Sequence, residues 1–179
     1  MSDPVHTILL CEDLQLECFV RRFLTKQGWE RRQIRTTPIP PSGAGITWLC
    51  QRLPAELKAF RSRNARARTF LVVGCDADTD TIEQRIQMLK AACSEAGVPF
   101  RTAEERVALA IPRRNIETWL AYLRGEEVNE TDAYPKYDDE SECRNEVAKL
   151  DEMCRKQKLE PDPPPPSLVI GCQEFKRIS

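Results

Sequence analysis

Apolar positions in the part of the chain before Gly125 follow two different spacings. Short apolar runs, typical of strands buried in a parallel sheet, lie at residues 5–11, 69–75 and 106–111, and residues 33–37 can form a further strand. After each of these four segments comes a stretch in which apolar residues recur every three or four positions, as on one face of a helix. Pro54 lies inside the second helical pattern and could split or kink that helix.

This alternation of strand and helix patterns predicts an α/β fold, with an open, mostly parallel sheet and helices on both faces. We expect the sheet domain to span residues 1–125. The following segment, 126–142, is acidic and shows no clear periodicity. Beyond it, the sequence predicts a helix over 143–154, a proline-rich extended linker, and a last short helix capped by Ser167. Residues 126–179 should therefore form a short helical C-terminal extension that packs on the domain.

Composition and charge narrow the class of protein. The 179 residues are 41% hydrophobic and 31% charged, which is typical of a globular chain. The net charge of −1 creates no global attraction for nucleic acid, so any such contact must come from local basic patches. No segment resembles a signal peptide, and no apolar stretch approaches the roughly 20 residues that a membrane span needs. We expect a cytoplasmic protein that does not contact a membrane.

The eight cysteines do not indicate a zinc site or a disulfide framework. No two of them are spaced as Cys-x-x-Cys, and His6 is the single histidine, so the common structural zinc ligand sets are absent. Several lie inside apolar runs, where cysteine behaves as a small core residue: Cys11, Cys50, Cys75 and Cys93. Buried free thiols in a reducing cytosol are the expected arrangement.

Acidic residues follow two of the predicted strands. Glu12 and Asp13 come directly after the first strand, and Asp76 and Asp78 come after the third. In open parallel sheets, ligands bind beyond the carboxyl ends of the strands. If the two strands are neighbours, these carboxylates meet at one edge, where Mg²⁺ or Mn²⁺ would offset their repulsion. Asp80, in contrast, is placed to cap the helix that begins near Thr81.

One set of these residues also resembles a response-regulator receiver domain. Residues 8–13 are similar to the first receiver strand with its paired acids, and Asp76 stands where a phosphoacceptor aspartate would follow a later strand. The distance along the chain from those acids to Asp76 is long for that family. Pro112, Arg113 and Arg114 follow the fourth strand, where receivers have a lysine followed by proline. A receiver-like signalling domain is therefore an alternative hypothesis.

The combination of a strand-end Glu12, an α/β unit and the strand-end Asp76-Ala-Asp78 more closely resembles the TOPRIM domain. That domain occurs in topoisomerases, primases and the overcoming-lysogenization-defect nucleases. The similarity covers roughly residues 5–123, and segment 111–120 also looks like small stand-alone bacterial TOPRIM-like proteins, some linked with phage defence. The family motif usually has glycine directly after the glutamate, where this chain has Asp13, and often an acidic residue at the position of Leu16.

The resemblance implies a TOPRIM/Rossmann-like sheet and assigns roles to the strand-end residues. Glu12 would act as general acid/base or metal ligand, and Asp76 and Asp78 would hold Mg²⁺ or Mn²⁺ as catalytic residues. Glu117, one turn into the helix after Pro112, is a candidate further metal ligand.

Arg113 and Arg114 follow a strand end on the same side of the sheet. Arginine recognises phosphate through planar paired donors, so these two residues are candidate phosphate-binding groups.

The function that the resemblance implies is a Mg²⁺-dependent nuclease or nuclease-like phosphodiesterase. It would act on nucleic acid, DNA in preference to RNA, in phage defence or DNA repair. The chain has no ATPase motif, and many relatives of this kind work beside an ATPase. The alternative is therefore a non-catalytic TOPRIM-like subunit with an ATPase partner.

Overall fold

A computed structural model describes residues 6–41 and 45–179. Its strands are β1 (His6–Cys11), β2 (Ile34–Thr36), β3 (Thr69–Gly74) and β4 (Val107–Ala110). Its helices are α1 (Leu14–Lys26), α2 (Gly45–Asn64), α3 (Ile82–Glu95), α4 (Ile116–Leu123), α5 (Arg144–Lys156) and α6 (Pro166–Phe175). Val5, the first residue of the predicted first strand, lies outside the described residues. The strands β2 and β4 are shorter than the sequence predicted.

All four strands are parallel, in the order β2-β1-β3-β4. β1 and β3 pair over their whole length, from His6 opposite Thr69 to Cys11 opposite Gly74. The chain moves outward from β1 to β2 and then returns to the other side of β1 for β3. The order of the strands therefore reverses between β1 and β3, and open α/β sheets bind ligands beyond the carboxyl ends of the strands at such a point.

Helices cover both faces of the sheet, as the sequence predicted. Strand side chains alternate between the faces, so Leu9 and Val72 pack on one side while Leu10 and Val73 pack on the other. The first side is covered by α1, α4, α5 and α6, and the second side is covered by α2 and α3. Both cores consist of fully buried apolar residues. None of the helices in the part of the chain described here has both the length and the apolar character needed to cross a membrane.

Two details of the helices differ from the expectations. Pro54 does not split α2, which runs as one helix from Gly45 to Asn64 with the Pro54 side chain buried. The cap of α3 is Thr81, because its side chain accepts a hydrogen bond from the backbone of Gln84 while the Gln84 side chain accepts one from Thr81. Asp80 instead forms an ion pair with Arg85.

The C-terminal extension contributes side chains to the same core as the sheet domain. α5 packs against α1, and α6 packs against β4. Gly171 of α6 lies so close to the ring of Trp119 that an added Cβ would stand 2.8 Å from it. Ser167 does not cap α6, because the cap residue of that helix is Pro165. The hydroxyl of Ser167 instead accepts a hydrogen bond from Trp119 Nε1 at 2.8 Å.

Candidate metal centre

The candidate site begins where β1 and β3 end side by side. The backbone N–H of Glu12 donates to the carbonyl of Gly74 at 3.0 Å and so continues the pairing of the two strands by one step. The backbone N–H of Asp76 in turn donates to Oε1 of Glu12 at 2.5 Å. These two bonds hold the Glu12 side chain, which is buried, over the end of β3.

Asp13 joins this pair through its position at the start of α1. As the helix cap, its Oδ1 accepts a hydrogen bond from the backbone N–H of Leu16 at 2.8 Å, which fixes the direction of the carboxylate. Glu12, Asp13 and Asp76 each present an oxygen atom within 4.8 Å of the others, an arrangement that could hold a metal ion. We call these three residues the acidic cluster.

Burial and mutual repulsion raise the pKa values of the cluster. Burial raises the pKa of Glu12 to about 7, and the charges of Asp13 and Asp78 act in the same direction. Burial, followed by the charges of Asp13 and Glu12, raises the pKa of Asp76 well above its usual range. Oδ1 of Asp76 is shielded from solvent, and no donor among the described residues reaches it. The cluster is therefore short of positive charge, which a hard divalent cation would supply.

Asp78 lies outside the acidic cluster. Its backbone has a positive φ of 53°, and its N–H donates to the carbonyl of Arg114 at 2.8 Å in an isolated antiparallel bridge beyond the end of β3. The Asp78 side chain is 64% exposed and accepts a hydrogen bond from Arg85 at 3.4 Å. The structure thus brings together Glu12 and Asp76 of the predicted ligands and adds Asp13, while Asp78 faces an arginine.

Arg85 is a buried cation that the sequence did not single out. Its side chain is 3% exposed, and Nη2 donates to the carbonyl of Ala77 at 2.9 Å and also lies near Asp78 and Asp80. Its charge lowers the pKa of Glu12, although burial has the larger, opposite effect. In the helical pattern of α3, Arg85 lies among the apolar positions, and this placement was the sequence signal for its burial.

The other predicted residues surround the cluster. Glu117 is buried in the first turn of α4; burial and the charge of Asp13 raise its pKa, and its own charge raises that of Asp76. It therefore lies near the cluster without belonging to the set of closest oxygens. Arg113 and Arg114 are half-buried just before α4, and neither forms an ion pair within residues 6–41 and 45–179.

The C-terminal extension also reaches this edge of the sheet. The charge of Lys136 lowers the pKa of both Asp13 and Glu117, although burial dominates in each case. Nearby, Nε2 of Gln15 donates to the carbonyl of Glu140 at 3.2 Å. The acidic segment 126–142 lacked periodicity, so its position beside the site could not be inferred from the sequence.

Searches against protein-family models, curated proteins and solved structures gave no significant match. The TOPRIM resemblance carried by Glu12, Asp76 and Asp78 therefore stays a prediction.

Proposed function

We propose that this protein is a divalent-metal-dependent phosphodiesterase that cleaves nucleic acid, with Glu12, Asp13 and Asp76 as its metal ligands. The observation that carries the proposal is the convergence of three carboxylate oxygens within 4.8 Å at the ends of two adjacent strands. Their position between β1 and β3 is where a sheet of this order binds ligands. The TOPRIM resemblance at Glu12 and Asp76 suggests the class of reaction.

The donor set fits a hard cation such as Mg²⁺ or Mn²⁺. Carboxylate oxygens are the ligands that these ions prefer, and the cluster contains no sulfur or nitrogen donor. Oδ1 of Asp76, shielded and without a hydrogen-bond donor, is the atom that would gain most from a bound cation. When bound, such an ion neutralises a phosphate and lowers the pKa of an attacking water.

The surrounding residues would each have a separate role in the cleavage reaction. Glu12, whose pKa is raised to about 7 by burial, is suited to holding the cation or to exchanging a proton with water near neutral pH. Arg113 and Arg114 would bind the phosphates that flank the cleaved bond. Glu117 would orient water at the edge of the cluster, and the preferred substrate would be DNA.

The direct test is cleavage of defined substrates by the purified protein. Supercoiled plasmid, linear duplex, single-stranded DNA and RNA are each incubated with Mg²⁺, with Mn²⁺ and with EDTA. Asp76→Asn and Asp13→Asn remove one ligand each while preserving shape, and we expect at least a tenfold loss of rate. Asp80→Asn, purified in parallel, is the matched control, because Asp80 lies outside the cluster and should leave cleavage unchanged.

Two results would decide against this assignment. Cleavage that survives in Asp76→Asn would show that the cluster is not the active site. A wild-type chain that binds Mn²⁺ but cleaves none of the substrates would favour the non-catalytic subunit that works beside an ATPase. The gene next to this one, read for an ATPase motif, is the quickest check of that alternative.

A receiver-like signalling domain is the second candidate function. The observation that favours it is that paired acids after β1 lie beside Asp76 after β3, because aspartyl phosphorylation also needs acids and a cation around the acceptor. Incubation with acetyl phosphate and Mg²⁺, followed by intact mass spectrometry, tests it. Failure to gain one phosphoryl group at Asp76 would eliminate this candidate.

A further inference from the structure

Two cysteine side chains of the C-terminal extension are in direct contact. Cys154 lies near the end of α5 and Cys172 lies in α6, and their Sγ atoms are 3.7 Å apart. A disulfide bond is about 2 Å long, so the two sulfur atoms must approach each other by a little under 2 Å to form one. Both thiols are free in this structure.

Both thiols are also accessible to small molecules. Cys154 and Cys172 are half-buried and line a groove of about 740 Å³ between the end of α1, α5 and α6. This groove lies at the amino-terminal end of the sheet, where Arg68 and Phe70 enter β3, and so is remote from the acidic cluster. In contrast, Cys18 and Cys143 are both buried.

We propose that Cys154 and Cys172 are an oxidisable dithiol that a hydroperoxide converts into a reversible disulfide between α5 and α6. One thiolate attacks a peroxide oxygen, the O–O bond breaks, and the products from hydrogen peroxide are a sulfenic acid and hydroxide. The second thiol then attacks the sulfenic sulfur, forms the S–S bond and releases water. The two sulfur atoms together lose two electrons, which reduce the peroxide, and a small thiol reductant reverses the change.

Either sulfur can react first. The contact between the two thiols is symmetric, because either of them can donate the hydrogen bond. The one that is present as the thiolate attacks the peroxide, and its neighbour resolves the sulfenic acid.

The disulfide would link α5 covalently to α6, the helix that packs against Trp119 of α4. Cys172 adjoins Gly171, which packs on the ring of Trp119, and Glu174 of α6 accepts a hydrogen bond from the backbone of Leu109 in β4. Closing the loop from Cys154 to Cys172 restricts the unfolded chain and keeps α6 beside α5. Oxidation should therefore raise the thermal midpoint by several degrees without changing the fold.

The experiment treats the full chain with stoichiometric hydrogen peroxide, blocks the remaining thiols by alkylation and maps tryptic peptides without reduction. We expect a cross-link between peptides 150–155 and 159–176 that dithiothreitol removes, together with the rise in thermal midpoint. Cys154→Ser and Cys172→Ser should each lose both effects, whereas Cys50→Ser should keep both. A peroxide-treated wild type without this cross-link, or with cross-links only between molecules, would overturn the proposal.

Trapping the sulfenic acid tests the intermediate. In Cys172→Ser the sulfenic acid of Cys154 cannot be resolved, so dimedone should label Cys154. In Cys154→Ser dimedone should label Cys172 for the same reason. Absence of labelling in both variants would overturn the sulfenic acid step.

Discussion

The backbone N–H of Asp76 donates a hydrogen bond to Oε1 of Glu12 at 2.5 Å. This contact joins residues that are 64 positions apart in the sequence and places one carboxylate beside the other. Burial is the main cause of the raised pKa of each group, and the charge of Glu12 raises that of Asp76 further. The two residues therefore respond as one unit to pH and to a cation.

The stability of the metal-free protein should fall as the pH rises from about 4.5 to about 7. The pKa of Glu12 is about 7 in the folded chain against an ordinary value of 4.5, so between these values the folded state binds more protons than the unfolded state. The contribution of Glu12 is fully present below pH 4.5 and is lost by about pH 7, at a cost of about 3 kcal/mol. Asp76 acts in the same direction.

Urea unfolding in EDTA across this pH range measures the slope. Glu12→Gln keeps an oxygen for the N–H of Asp76 but does not titrate, so its slope should be flatter than that of the wild type. Equal slopes in the two proteins would contradict the raised pKa of Glu12.

A divalent cation should restore the stability that high pH removes. Mn²⁺ at 100 times its Kd would add about 2.7 kcal/mol to the free energy of unfolding, since it binds only the folded cluster. Asp76→Asn should lose this gain, whereas Asp78→Asn should keep it because Asp78 faces Arg85. Thermal unfolding with and without Mn²⁺ measures the difference. An equal loss in both variants would instead favour Asp78 as a ligand.

Arg85→Met should destabilise the protein and change the titration of Glu12. The variant loses the hydrogen bond from Arg85 to the carbonyl of Ala77, at a cost of about 1–2 kcal/mol. Asp78 is exposed, and 38% of the Asp80 side chain is accessible, so both carboxylates remain solvated without Arg85. Loss of the positive charge should raise the pKa of Glu12 further, which NMR titration can follow. As the control, Asp80→Asn should cost less than about 0.5 kcal/mol.

Glu174→Gln should loosen the attachment of α6 to the sheet. Glu174 accepts two hydrogen bonds from Arg101, at 2.5 and 2.8 Å, and one from the backbone N–H of Leu109 at 2.9 Å. We expect a loss of about 2 kcal/mol at neutral pH, because the bond between charged groups is removed. Urea unfolding measures the loss, and Glu152→Gln, in an exposed pair with Lys156, should show almost none.

The stability that Glu174 contributes should depend on pH in the opposite sense to the stability that Glu12 contributes. Burial acts to raise the pKa of Glu174, but the hydrogen bonds from Arg101 and Leu109 outweigh it and lower the pKa. Its stabilisation is therefore present above the ordinary value of 4.5 and is lost as the pH falls through the lowered value. A difference between variant and wild type that stays constant down to about pH 3 would contradict this account.

The order of strands and helices could be predicted from the sequence because it depends on local spacing. Continuous apolar runs gave β1 and β3, and helical spacing gave the helices that follow them. The sequence also placed Glu12 and Asp76 at strand ends, and the parallel pairing of β1 with β3 was enough to bring them together. These features follow from periodicity and from the general geometry of parallel sheets.

The membership of the acidic cluster was decided by the tertiary structure. Asp13 belongs to it because capping α1 holds its carboxylate near Glu12 and Asp76. Asp78 lies outside it, and its exposed side chain instead contacts Arg85. Lys136 approaches from an aperiodic segment. A sequence pattern indicates which residues share a face. It does not indicate which of several neighbouring carboxylates come together, because that depends on backbone conformations and long-range contacts that form only when the elements pack.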